Sequence, residues 1–406
     1  MKCSQLMAWL TLFCMVACQP QKEELSTLQK LSFPGTNPAA LPSLYSNDSS
    51  LFLSWVSNPN DTISELYFST IDHEIWTEPQ LITKGSDWFV NWADFPAITE
   101  NQGNLLIHHL QKSSPATFSY DVKINVLPSN ETLWKTNLPL HGDSTLTEHG
   151  FVSGIPFSDS TFLVTWLDGR NTGGGGHGQE AHAGAMSIRA AEVDFQGIVH
   201  WDELLDAKTC DCCQTTAAMT AQGPVVLYRN RSDREIRDIA ITRLVKGKWS
   251  EPKIIHADGW EIAGCPVNGP KVAGNGELLV VAWFTAADSK PMVKLAFSTN
   301  SGKDFSEALV ISDSNPLGRV DVELIDDQSA LVSWMEMEED SAFLVAQKVD
   351  LSGKAYQIHQ IAAMDPSRKS GFPQMEILGD RVYFAWTEVK NNTPQLALAD
   401  QSLTSF

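Results

Sequence analysis

The segment TCDCCQTTAAM, residues 209–219, places Cys210, Cys212 and Cys213 within four positions, and GCPVNGP adds Cys265. Thiols in an oxidising compartment first suggest disulfides, here between Cys265 and either Cys212 or Cys213, and thiolates are also soft ligands suited to copper or zinc. Redox catalysis is a third use of such a cluster. Two histidines, His177 and His182, flank Glu180 in DGRNTGGGGHGQEAHAG and would complete a metal shell if that loop reached the thiols. A second constellation is YRNRSDREIRDIAITR, residues 228–243, with Arg229, Arg231 and Arg237. Guanidinium groups grip carboxylate or sulfate bidentately, so these residues, with Arg170 and Arg319 from other parts of the chain, are candidates for binding a small anion. The interleaved Asp233, Glu235 and Asp238 allow a salt-bridged hairpin just as well. Asp94, Asp168 and Glu235 are the candidate carboxylates for acid–base work, since glycoside hydrolysis needs two carboxyl groups flanking the scissile bond. Asn268 and Trp92 complete the set, the tryptophan as a surface for sugar stacking or as packing between sheets.

Those residues need a compartment and a scaffold. The N-terminus MKCSQLMAWLTLFCMVAC has one lysine, a short apolar run and small residues before Cys18. The run suits a signal peptide better than a membrane span. Met15-Val16-Ala17-Cys18 resembles a bacterial lipobox, which implies cleavage after residue 17 and a lipid on Cys18. Gln19 follows in place of the Asp associated with inner-membrane retention. The expectation is a bacterial envelope lipoprotein at the outer membrane, with residues 1–18 as leader and anchor site and 19–406 as one domain. The lipid is its only contact with the membrane. A net charge of −20 excludes nucleic acid as a partner, because phosphates would be repelled.

The rest of the chain reads as short strands. Seven apolar runs end in a large residue: Trp55, His109, Trp166, Tyr228, Trp283, Trp334 and Trp386, separated by 51 to 62 residues. That period fits one four-stranded blade per repeat and predicts an all-β, seven-bladed propeller. Prolines recur thirteen residues before the anchor at Pro42, Pro96, Pro270 and Pro373, where an innermost strand begins. The final repeat is one strand short, and residues 26–34 are left over at the other end. They are expected to complete the last blade and close the ring.

STNSGKDF, Ser298 to Phe305, resembles the Asp-box of sialidase-type propellers, Ser-x-Asp/Asn-x-Gly-x-x-aromatic, and degenerate copies begin at Ser69, Thr242 and Val349. The resemblance is to sialidase-like propeller lipoproteins. It implies an exo-sialidase-type glycoside hydrolase, or a binding protein on the same fold, with a glycan or small anion as ligand. Enzymes of that family use three arginines, a Tyr nucleophile supported by Glu, and an Asp acid/base. Their Arg-Ile-Pro motif is absent here, where the corresponding region reads SFPGTNPAALP.

In the thirteen-residue register, Asp94, Phe151, Cys213, Asn268, Arg319 and Gly371 hold equivalent places at the entries to successive innermost strands. Cys265 precedes the blade 5 entry, so it should neighbour the blade 4 cysteines. Strand alternation predicts that adjacent Cys212 and Cys213 point to different sides. Three readings stand: a glycan-binding propeller, an active glycosidase, and a protein binding copper or zinc.

Overall fold

The computed structural model describes residues 28–60, 62–72, 75–173 and 184–406. The leader with Cys18, and the loop residues His177, Glu180 and His182, lie outside the described residues. Seven antiparallel sheets follow one another along the chain. Their innermost strands are Ala39–Ser46, Ile98–Asn101, His149–Ser158, Thr216–Thr220, Lys271–Asn275, Pro316–Leu324 and Gln374–Leu378, and together they surround a central channel. This is the expected seven-bladed propeller. Gln29–Leu31 pairs antiparallel with the last strand, Thr393–Ser402, so the N-terminal segment supplies the fourth strand of blade 7.

Every anchor lies in the second strand of its blade, and all seven are at most 2% exposed. These strands are buried along most of their length because neighbouring blades cover both faces, so they show short hydrophobic runs instead of strict alternation. A buried indole still needs an acceptor for its N–H. Trp166 donates to Asp168 at 2.9 Å, Trp283 to Asp258 at 2.7 Å and Trp334 to Glu336 at 2.7 Å. His109, the one imidazole anchor, contacts Asn125 through Nδ1 at 3.1 Å and packs on Trp88. Burial holds its pKa down to about 4, so it serves as a neutral ring.

Side chains on the innermost strands lace each blade to the next. The Ile98 amide donates to Ser43 Oγ at 3.3 Å, Thr99 donates to the Gly154 carbonyl at 3.0 Å, and the Met375 amide donates to Asp321 at 3.0 Å. Residues 298–305 form the turn between the third and fourth strands of blade 5. There Ser298 Oγ accepts from the Gly302 amide at 3.0 Å, and Gly302 sits at φ +75°, where a Cβ would meet Ile241 at 2.7 Å.

The channel is stoppered where the chain enters the innermost strands. Trp92, on the loop leading into blade 2, stacks on Phe372 of blade 7 at 5.6 Å and lies under the Arg319 guanidinium of blade 6 at 5.0 Å. Gln214 of blade 4 donates to the Ala93 carbonyl of blade 2 at 2.7 Å and accepts from the Gly269 amide of blade 5 at 3.0 Å. Side chains from four directions thus meet over the axis.

Candidate functional site

The residues singled out from the sequence fall into three groups. The first is at the junction of blades 4 and 5. Cys210, Cys212 and Cys213 are all buried, and their Sγ atoms lie within 4.8 Å of one another. Cys210 and Cys213 are 3.4 Å apart, and the thiol of Cys265, the exposed member, reaches Cys212. The expectation that Cys212 and Cys213 diverge is corrected here. Residues 211–212 form a turn, so the two-residue alternation of a strand does not apply and the sulfurs converge. None of the four is in a disulfide. Burial alone would raise the Cys210 thiol, but the neighbouring thiols and the cations Arg237 and Arg229 outweigh it and hold Cys210 well below the ordinary range. Burial pushes Cys213 up, and hydrogen bonds from the other three thiols, with burial, push Cys212 up.

The arginines of this region are committed to protein partners. Arg229 is buried, donates to the carbonyls of Asn268, Arg237 and Phe284 at 2.6 to 3.0 Å, and lies over Trp260. Arg231 bridges Asp211 and Glu235, and Arg237 joins Glu235 at 2.6 Å and Cys210 Sγ at 3.1 Å. Asn268 accepts from the Arg319 amide at 2.7 Å. The Arg319 side chain donates to Ser370, Gly371 and Ser367. Sequence shows where arginines are, but Arg229 and Arg319 are held by backbone carbonyls from the next blade, which carry no sequence signature.

The second group closes the junction of blades 2 and 3. Arg170 grips Asp168 with two bonds of 2.7 Å and approaches Asp143 and Asp202. His141 and His149 stack at 4.0 Å. Both approach Asp143, His141 at 2.8 Å and His149 at 3.2 Å. Burial would raise Asp168, yet Arg170 and His149 hold it low; burial would lower His149, yet its bond to Asp143 and the charge of Asp168 raise it. Arg170 and His149 meet the charges of Asp143 and Asp168, which makes this an internal ionic clamp.

Of the third group, only Asp94 was singled out from the sequence. All seven innermost strands line a cavity of about 440 Å³. Its wall carries Asp321, Glu323 and Asp326 from blade 6, Glu376 from blade 7, Lys271 from blade 5 and Asp94 near the stopper. Lys271 stands 3.5 Å from Asp321 and is the only basic side chain of the lining among the described residues. Burial raises Asp321, against the pull of Lys271. Burial first, then the charges of Glu376 and Asp321, push Glu323 well above the carboxylate range. Burial likewise moves Glu376 to about 8, although Ser46 donates to it at 2.8 Å. The signal was present in the repeats: VDVEL and QMEIL put carboxyl groups on the innermost strands of two adjacent blades.

Asp94 links the cavity to the second group. It accepts from the Phe151 amide at 2.7 Å, and burial pushes its carboxyl well up. Its side chain stands beside the hydroxyl of Tyr120, which donates to Glu148 at 2.6 Å. A Tyr–Glu pair beside an Asp is thus assembled. The three candidate carboxylates are divided, however: Asp94 faces the cavity, Asp168 the ionic clamp, and Glu235 the arginines of blade 4.

No family model matches the chain, and no curated protein matches it. Solved structures do. An ulvan lyase, titled as a new family of polysaccharide lyase bound to -[GlcA(1-4)Rha3S]-, superposes with a TM-score of 0.58 at 10% identity, covering 91% of this chain and 95% of that one. An alpha-l-arabinofuranosidase from Fusarium graminearum, in complex with an iminosugar inhibitor, gives 0.51 at 12% identity, covering 94% and 99%. The endosialidase of phage phi92 gives 0.50 at 10% identity, covering 93% of this chain and 69% of that one. At such identities the likeness is one of architecture, and this chain shares with those proteins a β-propeller fold.

Proposed function

We propose that the protein is an envelope-anchored, sialidase-like propeller that binds a small glycan in its central cavity. The observation that carries this reading is the cavity wall. A space of about 440 Å³ is lined by polar side chains from every blade, with four carboxyl groups of blades 6 and 7 set against one lysine. Convergent polar groups in a concavity are the usual form of a small-molecule site. Asp321, Glu323 and Glu376 are pushed towards the neutral form, in which a carboxyl group both donates and accepts hydrogen bonds, and this suits the hydroxyls of a sugar. The acidic wall favours an uncharged sugar over an anionic one at this point. An anionic glycan would have to be met by Arg231 and Arg237, which already face Asp211 and Glu235. The glycan-acting proteins that share the fold support a carbohydrate ligand as the first class to test. Anchoring through Cys18 fits the leader, and Cys18→Ala should release the protein from membranes in a detergent-partition assay.

A glycosidase is the second reading, favoured by carboxyl groups held towards the neutral form within one cavity. Glu323 and Glu376 are both pushed up, so one is a ready proton donor. Asp94 beside the Tyr120–Glu148 pair is the alternative centre. Binding of the full chain to an array of uncharged and acidic oligosaccharides tests the first reading. Retention of at least one uncharged glycan, abolished by Glu376→Gln, supports it; an array on which nothing is retained sinks it. Release of reducing sugar from the retained glycan would convert the binding reading into the enzymatic one.

A further inference from the structure

We propose that Cys210, Cys212, Cys213 and Cys265 form a thiolate site for a single soft d10 cation, copper(I) or zinc(II), where blades 4 and 5 meet. The site uses none of the cavity wall, so it stands or falls independently of the glycan reading.

The first argument is the pattern of contacts. The Cys210, Cys212 and Cys213 sulfurs all lie within 4.8 Å of one another, and Cys265 acts on Cys212 from the exposed side. Two disulfides would organise the sulfurs as two separate pairs, whereas three mutually close sulfurs suit a shared ion. The spacing agrees. With metal–sulfur bonds of about 2.3 Å, tetrahedral ligand sulfurs lie roughly 3.8 Å apart. Here the Cys210–Cys213 separation is 3.4 Å, and the three buried sulfurs all lie within 4.8 Å. Adjustments of a few tenths of an ångström around a turn would seat an ion.

Charge is the second argument. Four thiolates with zinc(II) carry a net charge of −2, which is costly to bury without compensation. Arg237 stands 3.1 Å from Cys210 Sγ, and Arg229 lies close enough to act on both Cys210 and Cys213. Both guanidiniums are themselves fixed, Arg237 by Glu235 and Arg229 by three backbone carbonyls. Cations locked beside sulfur orient and neutralise a thiolate site as outer partners do in metal centres.

Burial supplies the third argument. Cys210 is 0% exposed and Cys213 1%, packed among Phe151, Leu167, Met186 and Tyr228. Cys210 and Cys213 have the Cys-x-x-Cys spacing of dithiol redox motifs, but exchange needs a sulfur that a partner can reach. The buried trio lacks that access. Cys265 alone is exposed, and it gives a metal ion a way in from solvent with the last ligand closing behind it.

On binding, each thiol that ligates loses its proton to solvent and no electron moves, so the step is ligand exchange without oxidation. The test uses the full chain, purified without reductant or chelator. Metal content is measured by mass spectrometry, and thiols are counted by alkylation before and after denaturation. The expected result is one equivalent of zinc or copper, four alkylated thiols after denaturation, and thiols protected in the native protein. Cobalt(II) added to the metal-free chain should produce sulfur-to-metal charge-transfer absorption. Cys265→Ser, a change at an exposed position, should weaken zinc retention roughly tenfold or more and reduce that absorption. Cys212→Ser should have a larger effect, provided that it folds. Two disulfides in a chain that holds no metal would overturn the proposal, as would metal retention and cobalt absorption unchanged by Cys265→Ser.

Discussion

At the junction of blades 2 and 3, Asp143 and Asp168 face Arg170 and two histidines, and both carboxyls are held charged. In the central cavity, Asp321, Glu323 and Glu376 share a single lysine, and all three are pushed towards the neutral form. Burial acts in the same direction in both places, since it penalises any charged carboxyl. What differs is the supply of cations. A carboxyl group whose charge is matched inside the protein is part of the scaffold; one kept protonated by its surroundings retains hydrogen-bonding capacity for something else. The same residue type therefore marks a clamp in one blade and a candidate ligand site in another.

The comparison breaks most visibly under substitution. Asp168→Asn removes the bidentate partner of Arg170 and a buried neighbour of His149, leaving Asp143 and Asp202 as the remaining carboxylates of the clamp. We expect a loss of about 2–4 kcal/mol in denaturant unfolding at neutral pH. Glu376→Gln should cost nothing there, and at pH 8 it should stabilise the protein by about 1 kcal/mol or more, because it removes a carboxyl that resists ionisation. Equal losses from the two variants would erase the distinction between clamp and cavity.

The pH dependence sharpens it. Glu376 has an ordinary value of 4.5 and a folded value of about 8, so its contribution is fully present below 4.5 and is lost as pH rises through 8. Asp168 is depressed below 3.8, so its contribution is present above 3.8 and fails as pH falls further. Melting temperature should decline between about pH 4.5 and pH 8, with a flatter decline in Glu376→Gln, and should fall again in strong acid, less steeply in Asp168→Asn, where Asp143 still titrates. The smallest effect is expected at Ser46. Ser46→Ala deletes the hydrogen bond that favours charged Glu376, so the Glu376 titration, followed by carbon-detected NMR, should move upward by a fraction of a unit.

The propeller was legible because its signals are periodic. Trp283 and Trp334 can be found by counting, and the leftover segment around Gln29–Leu31 follows from the short last repeat. The site was legible only in fragments. The convergence of four cysteines follows from placing blade 5 beside blade 4, but the cooperation of Cys212 with Cys213 does not. That depends on a turn at residues 211–212 that strand alternation misreads. Arg229 and Arg319 look like anion ligands as residue types. Their carbonyl partners come from the next blade, so their commitment is visible only in three dimensions. Glu323 and Glu376 escaped because alternation shows that alternate residues share a face, not that the face lines a shared cavity.

The most direct measurement is calorimetric titration of an uncharged oligosaccharide, selected on the glycan array, into the wild-type full chain and into its Glu323→Gln and Glu376→Gln variants. Binding at one site per chain, weakened about tenfold or more in at least one variant, is the predicted result. Equal binding by all three proteins would place the ligand outside the cavity and contradict the proposed function.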